Sequence, residues 1–106
     1  MKLIIAIIDD SDAVKLMDKL VEEEIGATRL SSSGGFLKKG NTSLLIGVEE
    51  HKVDLTLSII RRCCKQRQKM TLAPTSLGDS PMMAPPIEIP VGGAVCFILD
   101  SEMKKF

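Results

Sequence analysis

Aromatic side chains are scarce in this sequence, which has no tryptophan, no tyrosine and only three phenylalanines. A hydrophobic core must therefore consist of aliphatic side chains, and the 44% of apolar residues is enough to form one. A phenylalanine within a polar, glycine-rich stretch is then difficult to explain as core filling. Phe36 has such a setting, so the residues around it are the first candidates for a binding role.

Net charge is also absent, since 14 basic side chains balance 14 acidic ones. Nucleic-acid-binding proteins usually carry a basic surface, so the balance argues against a nucleic-acid partner. No apolar run approaches the ~20 residues that cross a bilayer. Residues 1–8 form an apolar run that ends at Asp9 and Asp10, and it is too short for a signal peptide. We interpret this run as a buried strand and expect a cytoplasmic protein, without membrane insertion, that forms one domain over residues 1–106.

Few side chains are suited to catalysis or metal binding. The single histidine, His51, lies among charged residues at a helix start, and Cys63, Cys64 and Cys96 show no C-x-x-C spacing. The sequence contains no G-x-S-x-G elbow, no P-loop and no dinucleotide fingerprint. These absences predict a binding protein rather than an enzyme, with no metal and no cofactor. The unpaired cysteines favour a reducing compartment.

The spacing of apolar residues predicts two successive strand–helix–strand units. The helices are indicated by apolar positions at helical spacing, namely Ala13, Met17, Leu20, Val14 and Val21 in the first and Val53, Leu57, Ile60 and Cys64 in the second. The first helix is expected to be capped by Asp10 or Ser11. The strands are expected at about residues 2–8, 27–32, 42–48 and 94–99, and an alternating apolar run at 87–91 precedes the last strand and is interrupted by Gly92 and Gly93. Two such units form a ferredoxin-like split βαβ fold of the α+β class, in which both helices cover one face of an antiparallel sheet.

The segment from about residue 66 to 86 has no periodic apolar pattern and contains several prolines. Proline cannot continue a helix or a central strand, so the sequence predicts a long loop there. A loop of this length in a small domain is usually functional or mobile.

The first and last predicted strands are apolar on both faces. Helices on one face of the sheet would leave the second apolar face exposed, which indicates that something else covers it. A closed ring of copies of this chain is the simplest cover.

The stretch SSSGGFLKKGNTSLLIG, residues 31–47, is the strongest candidate for binding. Its glycines allow backbone N–H groups to surround an anion, and Lys38 or Lys39 would supply positive charge. Asn41 and Thr28 offer hydrogen-bonding groups, and Phe36 offers a ring on which a base can stack. Together these groups suggest a nucleotide. The residues alone leave open a second interpretation, a surface hairpin whose lysines only keep the protein soluble.

Residues 34–48, GGFLKKGNTSLLIGV, resemble the signature of the PII-like cyclic di-AMP receptors, the PstA-like family. The similarity continues through residues 1–7, 52–54, 59–60 and 91–94, and it includes Phe97. The resemblance implies a ferredoxin-like subunit that assembles into a homotrimer and binds cyclic di-AMP between subunits. It further implies a signal transduction protein that reshapes its loops on binding and regulates a downstream protein of unknown identity.

The resemblance also implies a set of ligand-binding residues, which are Ala27, Thr28, Gly35, Phe36, Leu37, Asn41, Gly47, Gly92 and Phe97. Close relatives commonly have an asparagine near the end of the first helix and an arginine before the second strand, where this chain has Glu24 and Gly26. A carboxylate near a dianionic ligand is expected to weaken its binding. Two alternatives therefore stay open: a PII-like trimer that senses ATP, ADP or another dinucleotide, and an adaptor trimer that binds no ligand.

Overall fold

The computed structural model describes residues 1–30, 40–72 and 86–106. Six strands and two helices follow one another in this part of the chain, and a short 3-10 turn at Glu50–Lys52 precedes the second helix. In chain order they are β1 (Lys2–Asp9), α1 (Asp10–Glu22), β2 (Ala27–Leu30), β3 (Asn41–Val48), α2 (Val53–Cys63), β4 (Arg67–Leu72), β5 (Pro86–Val91) and β6 (Ala94–Asp100).

Four of these strands form one antiparallel sheet in the order β2-β3-β1-β6. The central strand is β1, in which Ile4 lies opposite Ile46 of β3 on one side and opposite Ile98 of β6 on the other. β2 pairs with the second edge of β3. This strand order, together with the two helices, confirms the predicted ferredoxin-like α+β fold.

The core lies between this sheet and the two helices. In β1, Ile4, Ala6 and Ile8 are buried while the residues between them are only partly buried, and β3 contributes Leu44 and Ile46. Burying one such large aliphatic side chain contributes roughly 1.5–3 kcal/mol to stability. No aromatic side chain belongs to the core that the described residues form, in agreement with the composition.

The cap predicted for the first helix is wrong by one residue. The N-cap of α1 is Asp9, and its carboxylate accepts a hydrogen bond from the Ser11 N–H at 2.9 Å. The reason is that α1 already begins at Asp10, directly after β1, so the residue before it provides the capping oxygen.

Part of the apolar face predicted for α1 is also wrong. Ala13, Leu16 and Leu20 are buried, whereas Val14 and Val21 are 68% and 70% exposed. Spacings of three and four residues follow the helical period, and each successive residue is rotated by about 100°. Positions 14 and 21 therefore face solvent, one step around the helix from the buried stripe.

The apolar face predicted for the second helix is confirmed. Ile60 and Cys64 are buried, and Val53 and Leu57 pack against the core. The Cys64 N–H donates to the Ile60 carbonyl at 2.9 Å, which closes the last turn of α2. Burial raises the pKa of the Cys64 thiol to about 12, so this thiol is neutral at physiological pH.

The prediction of one loop from about 66 to 86 is wrong at both ends. β4 pairs antiparallel with β5, with Lys69 opposite Ile89, and the two strands form a separate two-stranded sheet. β4 begins with polar residues, and its only apolar residues are Met70 and Leu72, so the apolar pattern is too short to indicate a strand. Prolines fit in β5 because a two-stranded sheet has only edge strands. Residues 73–85 lie outside the described residues.

Candidate functional site

Most of the described candidate residues lie on the face of the sheet that points away from the helices, which we call the open face. Residues directly opposite each other in an antiparallel pair project to the same side. Thr28 pairs with Leu45, and Ile5 lies between Leu45 and Phe97, so these four residues form one row across the sheet. The open face thus carries Thr28 at one edge of the sheet and Phe97 at the other.

Gly47 and Asn41 lie on the same open face but at opposite ends of β3. Gly47 is opposite Leu3 near the start of β1, and Asn41 is opposite Asp9 at its end. Ala27 differs, because it pairs with the buried Ile46 and packs against the core. Only its backbone is therefore available to a ligand on the open face.

The distances within one chain are too large for these residues to surround one small molecule. Neighbouring strands are about 4.8 Å apart, so Thr28 and Phe97 are separated by roughly 14 Å across three strand spacings. Asn41 and Gly47 are six positions apart along β3, which corresponds to roughly 20 Å. The candidate residues Gly35, Phe36 and Leu37 lie outside the described residues.

A cavity of about 170 Å³ opens beside Gly47 at one end of the sheet. Its lining residues are Met1, Glu24, Ile25, Gly26, Gly47, Val48, Glu49 and Lys52. It therefore joins Gly47 to both positions at which the chain departs from its relatives, and its lining includes two glutamates and one lysine. A Cβ atom added at Gly47 would lie 3.7 Å from the Met1 Cε atom, an ordinary contact, so the fold itself does not require glycine here.

Glu24 adopts a backbone conformation that is unfavourable for its residue type. Its φ angle is 57°, in the left-handed region that glycine and asparagine tolerate better than other residues. Its N–H donates to the Val21 carbonyl at 3.0 Å as α1 ends. The resemblance identifies Glu24 as a departure from close relatives, but no feature of the sequence indicates its unfavourable backbone conformation.

Asn41 and Gly92 come together at the opposite end of the sheet, around the first turn of α1. Asn41 pairs with Asp9, and the Gly92 N–H donates to the Asp9 Oδ2 atom at 3.3 Å. Hydrogen bonds from the backbone and the hydroxyl of Ser11, and then from Gly92, hold the pKa of Asp9 below its ordinary value of 3.8.

The fold itself requires glycine at position 92. Its φ angle is 81°, and an added Cβ atom would lie 2.6 Å from the Lys65 carbonyl oxygen and 2.7 Å from the Arg67 Nη1 atom. The Gly92 in this chain is thus explained by packing, whereas Gly47 is not. This difference makes Gly47 the more informative of the two glycines for ligand contact.

Neither a metal-binding cluster nor a membrane-spanning helix is present within residues 1–30, 40–72 and 86–106. No group of three or more histidine, cysteine, aspartate or glutamate residues in these ranges is arranged to hold a metal ion. No helix in the same ranges is long and apolar enough to cross a membrane.

Comparisons with known proteins agree with the fold and the resemblance. A family model described as a cyclic-di-AMP receptor matches residues 1–106. The chain is also similar to the crystal structure of a functionally unknown protein from Pediococcus pentosaceus ATCC 25745, with 37% sequence identity and a TM-score of 0.75. That match covers 99% of this chain and 96% of the other. This chain therefore belongs to the cyclic-di-AMP receptor family, which the PII-like type predicted from residues 34–48 fits.

Proposed function

We propose that the protein is a non-enzymatic, cytoplasmic signalling protein that assembles into a homotrimer. Each trimer binds cyclic di-AMP at the interfaces between subunits and reshapes its loops to regulate a partner protein. Membership of the receptor family supports cyclic di-AMP as the ligand. The placement of the binding site between subunits is supported by the wide separation of Thr28, Gly47 and Phe97 on the open face of one chain.

The open face supports assembly because it is apolar and no helix or strand within residues 1–30, 40–72 and 86–106 covers it. Val95, Phe97 and Leu99 of β6 are each about half exposed, and Leu3 and Ile5 beside them are only partly buried. Contiguous apolar surface of this kind usually marks a protein interface. Each half-exposed side chain contributes about 1 kcal/mol when a neighbouring subunit covers it.

A ring explains why the candidate residues are spread over two edges of the sheet. The β2 edge and the β6 edge are different surfaces, and contacts between different surfaces of identical chains close into a ring when the rotation allows it. In such a ring, the β6 edge of one subunit meets the β2 edge of the next. Phe97 from one subunit and Thr28 from its neighbour then line the same pocket.

Titration calorimetry of the intact protein with cyclic di-AMP tests the proposal. We expect one ligand per subunit, and light scattering should give a mass near three times the 11.5 kDa of the chain. Cyclic di-GMP and ATP are the matched competitors. A monomeric mass contradicts the assembly, and an intact trimer without heat of binding at high protein concentration contradicts the ligand.

A second candidate function follows from the residues that line the cavity beside Gly47. Glu24 and Glu49 line it together with Lys52, and two acidic residues near the site disfavour a dianion such as cyclic di-AMP. ATP and ADP carry still more negative charge, so the alternative that these residues favour is an adaptor trimer that binds no ligand. A thermal-shift panel of nucleotides separates the two functions, because a ligand that binds only the native state raises its melting temperature.

A further inference from the structure

The end of β1 and the first turn of α1 contact two segments that are far apart in the sequence. We call this region, Asp9 to Asp12, the α1 junction. On one side, the Asp10 N–H donates to the Gly40 carbonyl at 2.8 Å, and the Thr42 hydroxyl donates to the Asp10 Oδ1 atom. These two contacts hold the residues immediately before and after Asn41.

On its other side, the α1 junction contacts the base of the hairpin formed by β4 and β5. The Arg67 guanidinium donates to both carboxylate oxygens of Asp12, with Nη2 to Oδ1 at 2.9 Å and Nη1 to Oδ2 at 3.3 Å. The Gly92 N–H donates to Asp9. The start of β4 and the residue that follows β5 are thus each attached to the α1 junction through one carboxylate.

The contact between Asp12 and Arg67 is more than a surface ion pair. Asp12 is only 4% exposed, and a buried carboxylate needs a partner that satisfies both oxygens. The fork of an arginine matches a carboxylate in this bidentate way, which lysine does not. Arg67 Nη1 also donates to the Lys65 carbonyl at 3.2 Å, so the same guanidinium fixes the chain at the entrance to β4.

Ordinary helix capping explains only part of the α1 junction. Asp9 accepts from Ser11 as an N-cap should. Capping does not require Asp12 to bind Arg67, 55 positions away, or Asp10 to accept a hydrogen bond from Thr42, 32 positions away. These long-range contacts give the α1 junction a role in positioning other parts of the chain.

We propose that Asp9, Asp10, Asp12 and Arg67 are positioning residues that couple the start of β3, with Asn41, to the base of the β4–β5 hairpin, with Gly92. A disturbance on one side of the α1 junction then loosens the other side. The consequence for ligand binding rests on the function proposed above, since it takes Asn41 and Gly92 as parts of the cyclic di-AMP site. The coupling itself does not depend on the ligand.

Amide hydrogen exchange of the ligand-free trimer tests the coupling. Arg67→Gln should raise exchange in β4 and β5 by about tenfold or more, because a hydrogen bond to a buried charge is lost. It should also raise exchange of the amides at the start of β3 by about twofold or more, although no hydrogen bond joins Arg67 to these amides in the described part of the chain. Lys69→Gln is the matched control, since it removes a cation from the same strand that forms no ion pair among the described residues, and it should leave β3 unchanged.

The reverse experiment starts from the other side of the α1 junction. Thr42→Val removes the hydroxyl that contacts Asp10 and also receives a hydrogen bond from Arg29 at 3.4 Å, while Thr42→Ser retains it. We expect the valine variant, but not the serine variant, to raise exchange at the base of the hairpin. If both Arg67→Gln and Thr42→Val change exchange only on their own side, or change nothing, the coupling is disproved. Because the two variants disturb different elements, the failure of one to fold leaves the other as a complete test.

Cyclic di-AMP titration of the same variants then separates the coupling from the proposed function. We expect Arg67→Gln to weaken binding about tenfold with the trimer intact, and Arg67→Lys to restore part of the affinity. Wild-type affinity in the glutamine variant contradicts the positioning role. If the wild-type protein binds no cyclic di-AMP, the proposed function fails, and the exchange data still decide whether the α1 junction couples its two sides.

Discussion

The two faces of the four-stranded sheet have similar apolar sequences but different surroundings. On the helix face, Ile4 and Ile46 are completely buried within one chain. On the open face, Ile5 is only partly buried and Phe97 is 50% exposed. The helix face holds the subunit together, and under the proposed assembly the open face contacts neighbouring subunits, so neighbouring residues of the same type should have different roles.

The largest expected effect comes from the adjacent isoleucines of β1. Ile4→Ala should lower the free energy of unfolding by about 2–5 kcal/mol, because it leaves a cavity in a core that cannot easily close. Ile5→Ala should lower the stability of the subunit by less and instead weaken assembly. Denaturant unfolding at several protein concentrations measures both effects. Equal loss of subunit stability in the two variants would contradict the distinction between the faces.

A pair of exposed valines tests the open face directly. Val95, 56% exposed on β6, should lie in the subunit interface, whereas Val14 lies on the outer surface of α1. Val95→Glu should therefore dissociate the trimer, since a buried unpaired carboxylate is costly. Val14→Glu should leave the mass unchanged. Light scattering compares the two variants, and circular dichroism shows whether each remains folded.

A smaller effect is expected at Glu24, beside the cavity next to Gly47. Glu24→Asn places a residue that tolerates the left-handed conformation at a φ angle of 57°, which should raise the free energy of unfolding by about 0.5 kcal/mol. It also removes a carboxylate from the cavity and should tighten the binding of cyclic di-AMP. Glu24→Gln removes the charge without the conformational benefit, so it should tighten binding while leaving stability unchanged.

The smallest effect is the pH dependence that Asp9 adds at the α1 junction. Its pKa is lowered in the folded state, so ionised Asp9 stabilises the fold above its ordinary value of 3.8, and this contribution is lost as the pH falls through the lowered pKa. In the Asp9→Asn variant, the midpoint of denaturant unfolding should therefore decrease less steeply as the pH falls below about 4. Asp18→Asn, the same carboxylate-to-amide change at an exposed position of α1, is the matched control.

The order of elements could be predicted because the aliphatic runs of β1 and β3 have only one reasonable interpretation. The buried face of α1 was harder to predict. Val14 and Leu16 are both apolar, and only the rotation of the helix about its axis decides which of them is buried. β4 could not be predicted because four of its six residues are polar and the proline-containing residues 73–85 separate it from its partner β5.

The candidate site shows the same division between local and long-range information. The sequence does not distinguish Gly47 from Gly92, because both are predicted ligand-binding glycines. In the structure, packing requires glycine at position 92 but not at position 47. Nothing in the sequence around Asp12 indicates a pairing with Arg67, because the contact depends on how the hairpin returns to α1. The resemblance supplied the ligand-binding residues, and the structure assigned the described ones to faces and ends of the sheet.

The central claim is that one binding site takes Thr28 and Phe97 from different subunits. Thr28→Ala and Phe97→Ala homotrimers should each bind cyclic di-AMP at least about tenfold more weakly, through loss of a hydrogen bond or of an aromatic surface. Calorimetry of mixed trimers, refolded from equal amounts of the two variants, tests the claim most directly. The account predicts that about a quarter of the sites regain wild-type affinity, because one such site combines the intact Thr28 of one subunit with the intact Phe97 of its neighbour. Mixed trimers that regain no tight site would show that both residues act within one chain and would contradict it.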